Sequence, residues 1–407
     1  MASLLQQSAV SVLRSRPTQA SHSKDSKISS SPAATSPFVD VLQTAPRLLQ
    51  LLSTKALSAL ASSSRQLRSL IHQHITSITI IEHNGYGTEY QVTELEILVQ
   101  TRWPQLQKLN LKYRARLEPG AVAQLARAQW STLVSLDLSR NSLGEAAMSQ
   151  LVAGNWPVLK EINLSHNKLD AAAVAWLIKG DWPLESLELS DIKLDVEAAE
   201  ELIKGDWQNL KRLKLQWNKI GVDVISVLIK ACWPALQSLD LAHNWLSAGA
   251  IAVLTQGNWS QLTTLVLSNN DLDEAAIRFL SEGQWPQLTS LYLNNCTLEG
   301  FELEWLPRAY WPLLSMLSLL GNCLDAVGAM HLVSGNWPLL TELDLMDNAL
   351  DEMAVRCLAD NNWPLLKTLD LTVNEELDIS MLALMHPQQQ AITHIDPSSH
   401  NYVPYMF

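Results

Sequence analysis

A tryptophan recurs in this chain almost every 26 residues, at Trp103, Trp130, Trp156, Trp182, Trp207, Trp233, Trp259, Trp285, Trp311, Trp337 and Trp363. Eight of the ten steps are 26, one is 27 and one is 25. A fixed period of this length predicts a stacked-repeat architecture, in which each unit buries its apolar face only against its neighbours.

The unit that begins at Trp156 shows what one repeat is built to do. It reads WPVLKEINLSHNKL and then DAAAVAWLIKGD. Ile162 and Leu164 are two residues apart, so a short strand points both inward while Glu161, Asn163 and Ser165 face out. Asn167 follows in a turn, and Leu169 closes it. Asp170 suits a helix N-cap. The alanine-rich stretch beyond it predicts a short helix with Val174, Leu177 and Ile178 on one face. Gly180 then fits the C-terminal position that takes a left-handed backbone. The same slot holds Gly154, Gly205, Gly257, Gly283 and Gly335, with Ala128, Ala231, Ala309 and Asn361 as exceptions. The turn slot holds Asn141, Asn167, Asn218, Asn244, Asn270, Asn322, Asn348 and Asn374, interrupted by Arg114, Ile192 and Cys296. An asparagine side chain both donates and accepts, so a buried column of them can satisfy the backbone of successive turns.

This pattern, L-x-x-L-x-L-x-x-N-x-L repeated from Trp103 to about Asp378, resembles the leucine-rich repeat family. The W-P-x-L segment is similar to the cysteine-containing subclass, with tryptophan in place of that cysteine. The resemblance implies an α/β fold: a horseshoe-shaped solenoid with parallel strands on the concave face and short helices outside; a helical cap is expected at the N-terminal end, since a solenoid needs a polar-faced end. The tryptophans are in phase with the core leucines, so they are expected in a buried spine rather than on a ligand.

The chain has 407 residues and a net charge of −12. Residues 1–74 carry eight Lys/Arg against two Asp/Glu, so the remainder holds −18. An acidic array disfavours nucleic-acid phosphates and favours a basic protein partner. Cys232, Cys296, Cys323 and Cys357 match no zinc spacing and are expected as reduced, mostly buried thiols of an intracellular, cytoplasmic protein. No apolar run is long enough to span a bilayer, so no membrane partner is expected.

Residues 1–38 form a Ser-rich tail expected to be disordered, and the first 24 residues carry no acidic side chain. The alternative is an organelle transit segment. Residues 39–74 have Leu48, Leu49 and Leu52 in a first helical stretch and Leu57, Leu60, Leu67, Leu70 and Ile71 at helical spacing beyond it. This segment resembles a degenerate F-box, matching at Leu57, Leu60, Ala61, Arg65, Leu67, Arg68 and Leu70. The resemblance implies binding to a ubiquitin-ligase adaptor; the same residues also suit a cap over the first repeat. Residues 75–395 are expected to be the solenoid, with a last strand within Ala391–Ile395, and 396–407 a tail.

No phosphate loop, nucleophile elbow or metalloprotease helix occurs, so no catalytic residue, metal or cofactor is assigned and an enzyme is not expected. The expected function is that of a scaffold binding a protein on the strand face. One alternative is an F-box-type substrate receptor of a ubiquitin ligase; another is a regulator of a GTPase or other enzyme. Two groups are candidates for partner contact. Tyr292, Met316, Leu320 and Met346 are apolar residues at outward strand positions. Trp217, His243 and Trp245 lie off the lattice near the strand ends, and tryptophan is enriched at binding hot spots. Lys214, between Glu188 and Asp240 in the middle outward column, is read as charge balance.

Overall fold

The computed structural model describes residues 75–79, 98–100, 103–113, 117–360, 363–385 and 393–394. Residues 1–74, which hold the F-box-like segment with Leu48, Leu49, Leu52, Leu57 and Leu60, lie outside them, as does the C-terminal tail. The chain divides into two compact units. One is Met1–Asn163 with Gly180–Pro183; the other is Leu164–Lys179 with Leu184–Phe407.

The first unit contributes four strands, β1 (Ser77–Thr79), β2 (Lys108–Asn110), β3 (Ser135–Asp137) and β4 (Glu161–Asn163). They pair in parallel in chain order, with Ile78, Leu109, Leu136 and Ile162 in one register line. The second unit contributes β5 (Ser186–Glu188), β6 (Arg212–Lys214), β7 (Ser238–Asp240), β8 (Thr264–Val266), β9 (Ser290–Tyr292), β10 (Met316–Ser318), β11 (Glu342–Asp344), β12 (Thr368–Asp370) and β13 (Thr393–His394). These also run parallel in chain order, with a leucine at the centre of each strand from Leu187 to Leu369. Between strands the chain returns through short helices such as Ala171–Leu177 and Glu352–Ala359. This is the expected α/β solenoid of parallel strands and intervening helices. In the second unit the carboxylates of Asp170, Asp195, Asp273, Asp325 and Asp351 accept backbone N–H groups of the helices they precede. The repeat after β9 departs from the pattern: Gly300–Arg308 is a 3₁₀-helix. A Cβ on Gly300 would sit 2.6 Å from the backbone nitrogen of Gly328, so the two segments meet backbone to backbone there.

The lattice tryptophans are buried, all at 9% exposure or less. In the first unit Trp130, Trp156 and Trp182 stack in sequence, with ring centroids 6.4 and 5.7 Å apart. The glycine slot has a different cause from the one the sequence suggested. Among the described residues Gly321 is the one glycine with positive φ; Gly283 and Gly335 have φ of −68° and −80° and an extended backbone. What the slot requires is space. A Cβ on Gly205, Gly257, Gly283 or Gly335 would lie within 2.6 Å of the indole nitrogen of the next tryptophan. In those four repeats Trp207, Trp259, Trp285 and Trp337 donate Nε1–H to the leucine carbonyl five residues earlier. At two of the three alanine slots, Ala231 and Ala309, the indole nitrogens of Trp233 and Trp311 are buried without a partner. Trp156 follows a glycine and is also unpaired; it presents its benzo edge to Gly154 and is held by rings on both sides.

Gly335→Ala is therefore expected to turn the Trp337 ring, orphan its N–H and cost about 1–3 kcal/mol, the usual penalty for an unsatisfied buried donor. Chemical denaturation of the purified protein measures this; unchanged stability would remove the ring-space explanation.

Candidate protein-binding surface

The turn that follows each strand fixes where exposed side chains can stand. In the second unit the buried asparagines fasten successive turns. Asn244 donates Nδ2–H to the carbonyls of Leu215, Leu241 and Ala242, and its Oδ1 accepts the N–H groups of Asn218 and Ile220. Asn270 repeats the arrangement toward Asn244 and Leu246. At the break in the column, the Cys296 thiol lies 3.5 Å from the carbonyls of Leu267 and Asn294. Burial pushes its pKa up to about 12, so it stays a neutral thiol. The expectation of mostly buried thiols fails for two of the four: Cys232 and Cys323 are exposed, Cys357 is intermediate, and all four are free. Cys232 stands just before Trp233 and Cys323 in an isolated bridge to Glu299, outside the packed leucine positions.

To present that asparagine the preceding residue adopts a left-handed backbone. Tyr113, Arg140, His166, Asp191, Trp217, His243, Asn269, Asn295, Gly321, Asp347 and Val373 all have φ between 50° and 68°. The residue after the slot is also left-handed at Ser142, Lys193, Lys219, Trp245 and Thr297. Bulky residues are uncommon in this region. Trp217, His243 and Trp245 therefore occupy positions that their own backbone preference opposes, and that glycine or asparagine would fill more cheaply.

Two of these three residues meet. The rings of Trp217 and His243 stack with centroids 3.7 Å apart and an interplanar angle of 12°. Burial holds the His243 imidazole below its ordinary pKa, so the pair is a neutral aromatic stack at neutral pH. Trp217 is 42% exposed and Trp245 70%; the Lys219 ammonium stands 5.0 Å from the Trp245 ring centroid. Trp245 follows buried Asn244 and precedes buried Leu246, and its own side chain is on the surface.

The other candidate group lies on the strand face. Tyr292, Met316, Leu320 and Met346 are all half-buried, not freely exposed as expected of a contact patch. Tyr292 neighbours Ser318 in register, and Ser318 neighbours Asp344. Leu320 and Met346 stand beside each other, because Gly321 N–H bonds the Met346 carbonyl. Burial raises the Tyr292 phenol above its usual range, with Glu342 adding to the effect. The buried Ser318 hydroxyl reaches both Asn294 Oδ1, at 2.6 Å, and Asp344 Oδ2, at 2.7 Å. One hydroxyl hydrogen cannot serve both acceptors, and the Leu320 N–H fixes which Asn294 atom is the oxygen. Burial raises the Asp344 pKa, against the lowering by its hydrogen bonds from Ser318 and Met346.

Lys214 stands as charge balance: its Nζ lies 2.8 Å from Glu188 Oε1. Asp240 is instead hydrogen-bonded by the Gln216 amide and the Ala242 N–H. Sequence reading missed the exposed Phe301 and Tyr310, and also Trp305, which carries the guanidinium groups of both Arg278 and Arg308 and donates to Glu274. Its signal was available, since Trp176, Trp217, Trp245 and Trp305 are the four tryptophans off the lattice. A cleft of about 750 Å³ beside Trp103 and Trp130 is lined by Arg127, Ser131 and the amides of Gln100, Gln129 and Asn155, a set with no general base. Among the described residues no cluster of His, Cys, Asp and Glu is placed to hold a metal, and no helix is long and apolar enough to cross a membrane.

Comparison with known proteins gives the class of fold. No family model matches the sequence, and no curated protein sequence matches it. Among solved structures, the chain is similar to the leucine-rich repeat-containing protein LegL7 from Legionella pneumophila, at 17% identity and a TM-score of 0.50, covering 71% of this chain and 100% of that one. It is also similar to a chain of the Rad7–Elc1 complex from yeast, at 18% identity and a TM-score of 0.49, covering 88% and 86%. An internalin from Listeria monocytogenes gives 18% identity and a TM-score of 0.45, covering 84% and 94%. Together with the repeated strand–turn–helix units and their buried asparagines, the first of these makes the fold that of a leucine-rich repeat protein.

Asp240 gives a pH test of the strand face. Burial raises its carboxyl pKa more than the Ala242 and Gln216 hydrogen bonds and Lys214 lower it, with Glu188 adding to the rise. The folded chain thus binds this proton more tightly than the unfolded chain. The group favours folding most below the ordinary carboxylate range, and that contribution is lost as pH rises through its raised pKa. Asp240→Asn should melt higher than the parent at neutral pH, and the gap should close on acidification. A variant that melts lower at pH 7 would show that the charge is compensated.

Proposed function

We propose that the protein is a non-catalytic scaffold that binds a protein partner at the turn rim around Trp217, His243 and Trp245, with the strand face beside it. The observation that carries this reading is Trp245. A large apolar side chain 70% exposed, on a backbone of positive φ, contributes little to folding and costs backbone strain of roughly 1–3 kcal/mol. Such a residue is accounted for by a contact that buries it. The half-buried Tyr292, Met316, Leu320 and Met346 fit a secondary contact along the same strand face. The F-box-like reading of residues 39–74, with an adaptor bound there and a substrate on the repeats, rests on the sequence pattern, as do cytoplasmic residence and a role in regulating a GTPase.

The double variant Trp217→Ala, Trp245→Ala should keep the parental melting temperature to within the roughly 0.5 kcal/mol typical of surface changes. It should lose partners that the parent captures and that mass spectrometry identifies, with affinity falling by about 2 kcal/mol or more. Equal capture by parent and variant would refute the rim as the binding site.

The adaptor reading has its own test. Leu49→Ala with Leu52→Ala in the full chain should abolish capture of a ubiquitin-ligase adaptor while leaving the melting temperature in place. If the parent itself captures no adaptor, the segment is a cap.

A further inference from the structure

The position that follows the turn slot runs Lys168, Lys193, Lys219, Trp245, Asp271 and Thr297 through consecutive repeats. All six are exposed. Backbone hydrogen bonds hold these turns in step: His166 N–H to the Ser190 carbonyl, Asp191 to Gln216, Trp217 to Ala242 and His243 to Ser268. Adjacent repeats in such a sheet are about 4.8 Å apart, so the three lysine positions form a short row that ends at Trp245.

Elsewhere in the second unit Lys204, Lys211, Lys214, Arg278, Arg308 and Arg356 each sit against a carboxylate, while Lys179 lies over the Trp176 ring. Among the described residues Lys168 and Lys193 have no such partner, and Lys219 contacts the Trp245 ring. In the same rim Asp191 lies 2.8 Å from His166 Nδ1, and Asp271 stands in the row itself, two repeats beyond Lys219. A chain of net charge −12 thus places a lysine at this position in three consecutive repeats, followed in the fourth by the exposed Trp245.

We propose that this rim recognises an acidic peptide segment of the partner that carries an aromatic or apolar side chain. The carboxylates would pair with Lys168, Lys193 and Lys219, and the apolar side chain would pack on Trp245 and the Trp217–His243 stack. This deepens the scaffold reading and rests on it, and it reverses the charge that the overall composition suggests for the partner. Net charge acts at long range and is screened by salt, whereas contact is decided by the charges at the contact. A single-stranded nucleic acid would also offer anions and stacking rings. Three lysines against an acidic strand face favour the peptide, because nucleic-acid sites neutralise many phosphates with clustered Lys/Arg.

The test uses the full chain and three labelled probes: a Glu–Tyr copolymer, polylysine and oligo-uridine. The Glu–Tyr copolymer should bind, weaken as salt is raised, and bind at least tenfold more weakly to Lys193→Glu with Lys219→Glu and to Trp245→Ala. Both variants change exposed side chains, and their melting temperatures are measured alongside. Preferential binding of polylysine, or copolymer binding unaltered by charge reversal, overturns the proposal. Tighter binding of oligo-uridine that the same variants abolish overturns it in favour of nucleic acid. If the copolymer fails while the Trp217→Ala, Trp245→Ala variant still loses captured proteins, the scaffold reading stands and the acidic-partner inference falls alone.

Discussion

The buried asparagine is the constraint on which the rest of the molecule turns. A three-residue strand leaves a turn whose backbone groups would be buried and unpaired. Each asparagine answers this in two directions, giving its amide hydrogens to carbonyls of its own and the preceding turn and accepting that turn's N–H groups. Because the contact is made between repeats, one side chain fixes both the local turn and the step to the next unit. The tryptophan performs the corresponding task on the helix side, where its ring fills the space between helix end and strand.

The cost of that arrangement falls on the residues around the asparagine. The slot is reached through a left-handed residue in every repeat described, whatever its chemistry. A fold that imposes the same backbone on glycine at Gly321, asparagine at Asn269 and tryptophan at Trp217 separates conformation from side-chain preference. The turn rim is thus a rigid row of outward positions that can be varied without altering the core. Lys168, Lys193, Lys219 and Trp245 belong to that row. This is why a binding reading can be placed on them without invoking any adjustment of the scaffold.

The strand face is more closely integrated. Its outward residues are tied to one another by Lys214–Glu188, Gln216–Asp240 and Ser318–Asp344, and burial raises the pKa of two of its carboxyls. A partner approaching this face would meet a preformed network, whereas at the rim it would meet exposed lysine side chains and the exposed Trp245. Tyr292, Met316, Leu320 and Met346, half-buried among these groups, are accordingly better suited to support a contact than to anchor it.

The 26-residue period by itself determined the fold class, the burial of all eleven lattice tryptophans, the strand register and the asparagine column, because each follows from one local pattern repeated against itself. It also exposed the off-lattice tryptophans as exceptions. Other features depended on distances between residues that the pattern leaves undefined. The glycine slot at Gly205 or Gly335 read as a backbone requirement and proved to be room for an indole ring in contact across the turn. The left-handed rim was invisible because tryptophan, histidine and lysine carry no preference for it. That Trp217 lies on His243 and that Lys219 stands over Trp245 was decided by packing of successive repeats. Sequence spacing fixes which residues share a column, but only the folded backbone fixes which side chains touch and which charges are left open.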